Sequence, residues 1–238
     1  DEVLKVSRGF ELFLDRIARR EQGNTFGSLA WVGATFAEMA ARFDAEGQTL
    51  SPEAKQYYDR AVAVYRDILE RCAANPQFAG GDGAVDGVKI RLARCLRRLR
   101  KFREAMDLLV DVLRLRNRVV EAQVEAALTY QDWAAASGDA RMYDNAINGG
   151  RSARRKDGTQ VHVVWGWLKL GNITLRSAAT RAVFHEARYN LARCRFEQAL
   201  GSSGDQRNNL LARAEKDIEV TRLLTPDMGG DPWRDRYD

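Results

Sequence analysis

Proline and histidine are both scarce in this 238-residue chain, which has four of the first and two of the second. The prolines, Pro52, Pro76, Pro226 and Pro232, fall outside the strongly periodic segments, so helices can run between them unbroken. Cysteine is also rare. Cys72, Cys95 and Cys194 stand far apart with no Cys-x-x-Cys pair, so neither a disulfide framework nor a zinc site is expected, and no other cofactor is implied. Their neighbours are apolar or helix-forming, which reads as small core residues, and an odd unpaired set favours a reducing, cytoplasmic setting. Nothing approaches the roughly 18 uninterrupted apolar residues of a membrane span. The best run, Val161 to Leu168, is broken by His162 and Gly166, so membrane insertion is not expected. No basic segment leads into an apolar one at the N-terminus, and the chain opens on Asp1 without Met, as a processed or excised chain would.

Signatures of catalysis are missing as well. No Gly-x-Ser-x-Gly, phosphate-loop or dinucleotide fingerprint occurs, and His185-Glu186 lacks the second histidine of a zinc-protease helix. Gly80-Gly81-Asp82-Gly83 has neither the lysine nor the preceding buried strand of a phosphate cradle, and Asp82 with Asp86 is too sparse for a calcium loop. The expectation is a protein that is not an enzyme.

What is present is helix-forming material. Apolar residues make up 45% and charged residues 30%, enough for a core and a solvated surface, and Ala, Leu, Arg and Glu dominate. Lys and Arg number 38 against 33 Asp and Glu, a net charge of +5 that suggests acidic partners. Val3, Val6, Phe10, Phe13, Leu14 and Ile17 recur at helical steps over 2–20. A second helix is expected over 26–43. Ser51-Pro52-Glu53 then combines a cap, a first-turn proline and an acid at the positive end of the helix dipole, starting a third helix that runs to about Ala74. After a Gly-rich loop over 78–87, helices follow over 88–99 and 102–115, joined so tightly that they must lie antiparallel. Further helices are expected over 119–136, 140–154, 159–177, 179–200 and 206–224, with a two-strand alternative for 161–168, where Val161, Val163 and Val164 are β-branched. The tail from Gly229 starts as a linker and turns into a charged, helix-like fragment over 229–238.

The pairing has an internal pattern. Leu92-Ala93, Leu96, Phe102, Ala105, Leu109 and Val112 resemble one unit of the tetratricopeptide repeat, with Gly33, Phe36, Ala61 and Tyr65 in an earlier pair and Leu191-Ala192, Ala214 and Pro226 in a later one. The resemblance covers candidate units 26–76, 88–117, 119–155 and 179–226 of a domain over 1–228, with insertions between them. It implies an all-α superhelix of about ten helices, in which Gly33, Ala93, Ala105, Ala192 and Ala214 sit where paired helices come too close for larger side chains.

The resemblance further implies a non-catalytic interaction or scaffold module that holds a partner peptide or helix in a concave groove. Carried over by position, the groove candidates are Arg91, Arg94 and Arg98 on one helix, with Arg97 beside them, and Tyr189, Asn190 and Arg193 on another. Arginines at steps of three and four share a helix face and can pair bidentately with carboxylates or phosphates. Asn190 and Arg193 resemble part of a carboxylate-clamping pattern, whereas Val124, Glu125 and Leu128 in the middle unit depart from it. A protein or acidic peptide is the expected partner; nucleic acid on the Arg94 to Arg103 face is the alternative, disfavoured because acids are interleaved nearby and no stacking aromatics alternate with the arginines. A second basic cluster, Arg151, Arg154, Arg155 and Lys156, reads as a helix C-terminus. Trp31, Trp133, Trp165 and Trp167 are expected in the core, with a groove lining as the alternative.

Overall fold

A computed structural model describes residues 2–20, 22–44, 49–81, 83–154 and 160–237. Among them are eleven α-helices and one β-hairpin. Sequence-adjacent helices pack as pairs, the fold class expected from composition and periodicity. The chain forms two compact units, 1–108 and 109–238, with the boundary inside one helix, α5 (Phe102–Leu115).

The first unit contains α1 (Glu2–Ala18), α2 (Phe26–Arg42), α3 (Pro52–Ala74) and α4 (Ala84–Arg98). Helix α2 starts in a reciprocal cap: the Ser28 amide donates to Thr25 Oγ1 at 3.1 Å and the Thr25 amide to Ser28 Oγ at 3.0 Å. Helix α3 starts as its sequence dictates, the Ala54 amide donating to Ser51 Oγ at 3.0 Å. The pair α2 and α3 is antiparallel, since Phe43 stacks on Tyr57 at one end and Phe26 meets Phe78 at the other. Between those ends Phe36, Tyr65 and Ile68 are fully enclosed, each such burial contributing about 1.5–3 kcal/mol before entropy is counted. Gly33 makes this approach possible, because a Cβ there would lie 2.6 Å from Cε1 of Tyr65. Ala93, Ala105, Ala192 and Ala214 are likewise buried.

Helix α4 begins at Ala84, four residues earlier than its periodicity suggests, which shortens the Gly-rich loop. Its N-cap is Gly83 in left-handed conformation, a start signal that side-chain caps do not reveal. Asp82 lies outside the described residues. The helix ends in a Schellman turn: the Lys101 amide donates to the Leu96 carbonyl at 2.8 Å and the Arg100 amide to that of Arg97 at 2.9 Å. Arg100 occupies the left-handed position at φ 59°, where glycine is the usual residue. Replacing it removes the Cβ penalty at some cost in unfolded-chain entropy, so Arg100→Gly should stabilise the chain by roughly 0.5–1 kcal/mol, read as a higher urea midpoint.

The second unit holds α6 (Val120–Ser137), α7 (Ala140–Asn148), the strands β1 (Gly150–Arg154) and β2 (Gln160–Val164), α8 (Gly166–Thr174), α9 (Arg181–Leu200), α10 (Gly204–Leu224) and the short α11 (Asp231–Arg234). Two expected helices are corrected here. The one expected over 140–154 ends at Asn148, because Gly149 (φ 93°) turns the chain into a strand, and the one expected over 159–177 begins only at Gly166. Between them β1 and β2 pair antiparallel, Gly150 opposite Val164 and Ser152 opposite His162; the two strands expected as an alternative within 161–168 are thus corrected to one strand ending at Val164, its partner lying upstream at 150–154 and α8 starting at Gly166. The basic cluster is thus not a helix C-terminus: Arg151 and Arg154 belong to β1, and Arg155 and Lys156 lie outside the described residues.

A glutamine from α6 fixes the hairpin's exit. Gln123 donates to the Val163 carbonyl at 3.0 Å and accepts from the Trp165 amide at 2.8 Å, satisfying the backbone where the ladder stops. The pair α9 and α10 is antiparallel, with Arg195 beside Arg213 and Arg188 beside Thr221.

Candidate functional site

The arginines of α4 divide. Arg91 and Arg94 are exposed, one turn apart on the same face. Arg97 is only 9% exposed. Arg98 is turned to the protein: its Nε donates to Asp44 Oδ2 at 2.6 Å and its Nη2 to the other carboxylate oxygen, while the Tyr58 hydroxyl donates to Oδ2 at 2.9 Å. Burial and that hydrogen bond to Asp44 push the Tyr58 hydroxyl well above its ordinary pKa.

Tyr65 of α3 is buried, with Gly33 of α2 against its ring. Burial pushes the Tyr65 hydroxyl up, against the opposing fields of Arg91 and Arg94 and with that of Glu38. Arg91 and Arg94 of α4 and Glu38 of α2 are all exposed. Trp31, expected in the core, is instead 49% exposed on α2, its carbonyl accepting from the Thr35 hydroxyl at 2.9 Å one turn later. Tyr65, a repeat position in the sequence, packs against Gly33, a residue 32 positions earlier.

The second group of candidates lies on α9 and goes three ways. Tyr189 is covered by the tail, edge-on to Tyr237 with ring centres 5.4 Å apart and tilted against Trp233 at 6.1 Å, with Arg236 over both Tyr189 and Trp233. The charged, helix-like fragment that ends the tail thus packs onto α9. Asn190 is 5% exposed, and its carboxamide accepts from Gln131 Nε2 at 3.1 Å and donates to the Glu186 carbonyl at 3.0 Å. Arg193 approaches Glu197 at 3.9 Å, one turn along. Buried in this way, Asn190 faces its own protein and not the groove that the tetratricopeptide resemblance implies for it.

Burial disfavours the charged forms of two side chains on α9. His185 is 4% exposed under Gly229, and burial lowers its pKa from the ordinary value. Cys194 donates to Gln131 Oε1 at 3.3 Å, and burial pushes its thiol strongly up, away from a reactive thiolate. All three cysteines are buried and outside any disulfide, as small core residues would be. Among the described residues no three His, Cys, Asp or Glu side chains converge on a metal position, and no helix is long and apolar enough to cross a membrane.

Compared with known proteins, the chain matches no family model, no curated protein and no solved structure. What its own geometry defines is a nearly all-α protein of the helical-repeat type, with neighbouring helices packed in antiparallel pairs.

Proposed function

We propose that the protein is a non-catalytic interaction module, a divergent tetratricopeptide-like scaffold whose first unit presents Arg91 and Arg94 to an acidic segment of a partner protein. The observation that carries this reading is the division of the arginines. Asp44 takes up Arg98, while Arg91 and Arg94 stay exposed on one helix face. In a tetratricopeptide arrangement α2 and α4 are the first helices of successive pairs, and these two helices do touch. Trp31 adds an exposed aromatic anchor to the same unit, of the kind that concentrates interface energy. Two exposed guanidiniums supply attraction and orientation more than raw affinity, so binding should be fast and sensitive to salt.

The test uses a fluorescent glutamate-rich peptide and the full chain. Anisotropy should report binding that weakens steadily with salt, and the double substitution Arg91→Glu, Arg94→Glu should lower affinity by about tenfold or more, since each reversed contact contributes on the order of 1 kcal/mol. Binding indifferent to salt and to both substitutions refutes the electrostatic reading. Equal or tighter binding of generic single-stranded RNA or DNA shifts the assignment to nucleic acid.

A further inference from the structure

In the second unit, α7, α9 and α10 leave a half-open cleft of about 520 Å³, a size that accommodates a small organic ligand. Its charge is unbalanced. Arg195 Nη1 meets Asp217 Oδ2 at 2.5 Å, and Arg188 Nη2 lies 3.8 Å from the other oxygen of the same carboxylate. Arg188 is buried, and it also donates to Thr221 Oγ1 at 2.9 Å and to the Asp217 carbonyl at 2.8 Å. One carboxylate therefore answers two enclosed guanidiniums, and a positive charge is left over where solvent screens it poorly.

Of these groups Arg195 lines the cleft. Arg213 joins it from α10, exposed and without an ion pair among the described residues; its backbone carbonyl accepts from Arg195 Nη1 at 3.2 Å. Asp144 also lines the cleft, its carboxylate accepting from Gln198 Nε2 at 3.1 Å. Asn209 brings an exposed carboxamide, and Ile147 and Leu210 supply an apolar wall.

We propose that this cleft binds a small aliphatic carboxylate, its anionic end between Arg195 and Arg213 and its hydrocarbon against Ile147 and Leu210. Guanidinium forks suit a planar carboxylate, and the side-chain amide of Asn209 offers a further donor. The site is independent of the arginine stripe in the first unit and stands or falls separately.

The probe is 4-methylpentanoate, with neutral 4-methylpentanamide and inorganic phosphate as comparisons, titrated into isotopically labelled full-length chain. Saturable shifts of the Asn209 side-chain amide are expected with the carboxylate at about 1 mM or below, and not with the amide or phosphate. Arg213→Glu, a change at an exposed position, should weaken binding by about tenfold or more while the melting temperature stays put. No saturable shift, equal response to the neutral amide, equal response to phosphate, or binding unchanged in Arg213→Glu each overturns the proposal.

Discussion

Replacing Gly166 with alanine should cost at least about 3 kcal/mol of unfolding free energy, the range reserved for substitutions that force the backbone itself to move. Gly166 adopts φ 69°, and a Cβ on it would lie 2.4 Å from the Gly149 nitrogen and 2.7 Å from the Ile147 carbonyl oxygen. Gly149, at φ 93°, faces the same crossing, where a Cβ would sit 2.3 Å from the Val164 carbonyl oxygen. The chain enters β1 and leaves β2 through this one point, so neither strand can yield without losing the other. Gly87→Ala in α4 is the control. A Cβ there meets nothing within 4 Å, and alanine in a helix should stabilise by roughly 0.5–1 kcal/mol. Urea unfolding of both variants, followed by circular dichroism, should move the midpoint in opposite directions; a mild effect of Gly166→Ala would mean that the crossing is looser than its distances imply.

That crossing also marks where the sequence stops being readable. Helix α3 was legible because its start signal is local: Ser51, Pro52 and Glu53 are consecutive, and the cap bond spans three residues. The hairpin was not, although its β-branched Val161, Val163 and Val164 hint at strands. The helical pattern of Trp167, Leu170 and Gly171 follows at once, and the contact that ends the strand comes from Gln123, 42 residues before Trp165. The candidate site shows the same divide. Spacing correctly puts Arg91 and Arg94 on one face, since three residues fix a helical neighbour. Arg98 belongs to the same periodic series, yet its partner Asp44 is 54 residues away, and nothing in the local pattern announces it. The cleft of the second unit draws on α7, α9 and α10, each of which alone reads as an ordinary charged helix.

Gln131→Leu should destabilise the chain by about 3 kcal/mol or more, since it strands three buried partners and each loss is worth about 1–3 kcal/mol. The carboxamide oxygen of Gln131 accepts from Trp167 Nε1 at 3.0 Å and from Cys194 Sγ at 3.3 Å, and its nitrogen donates to Asn190 Oδ1 at 3.1 Å. One side chain of α6 thus pins α8 and two turns of α9. Trp167 is fully enclosed, so its indole N–H cannot find water in place of the lost oxygen. A double-mutant cycle separates this from simple loss of volume. Trp167→Phe removes the donor, and adding it to Gln131→Leu should cost less than the sum of the single changes by about 1 kcal/mol or more, because an apolar pair leaves fewer groups unpaired. Strict additivity in urea midpoints would show that the two side chains stabilise the unit independently and that packing alone, without the hydrogen bond, holds α8 against α6.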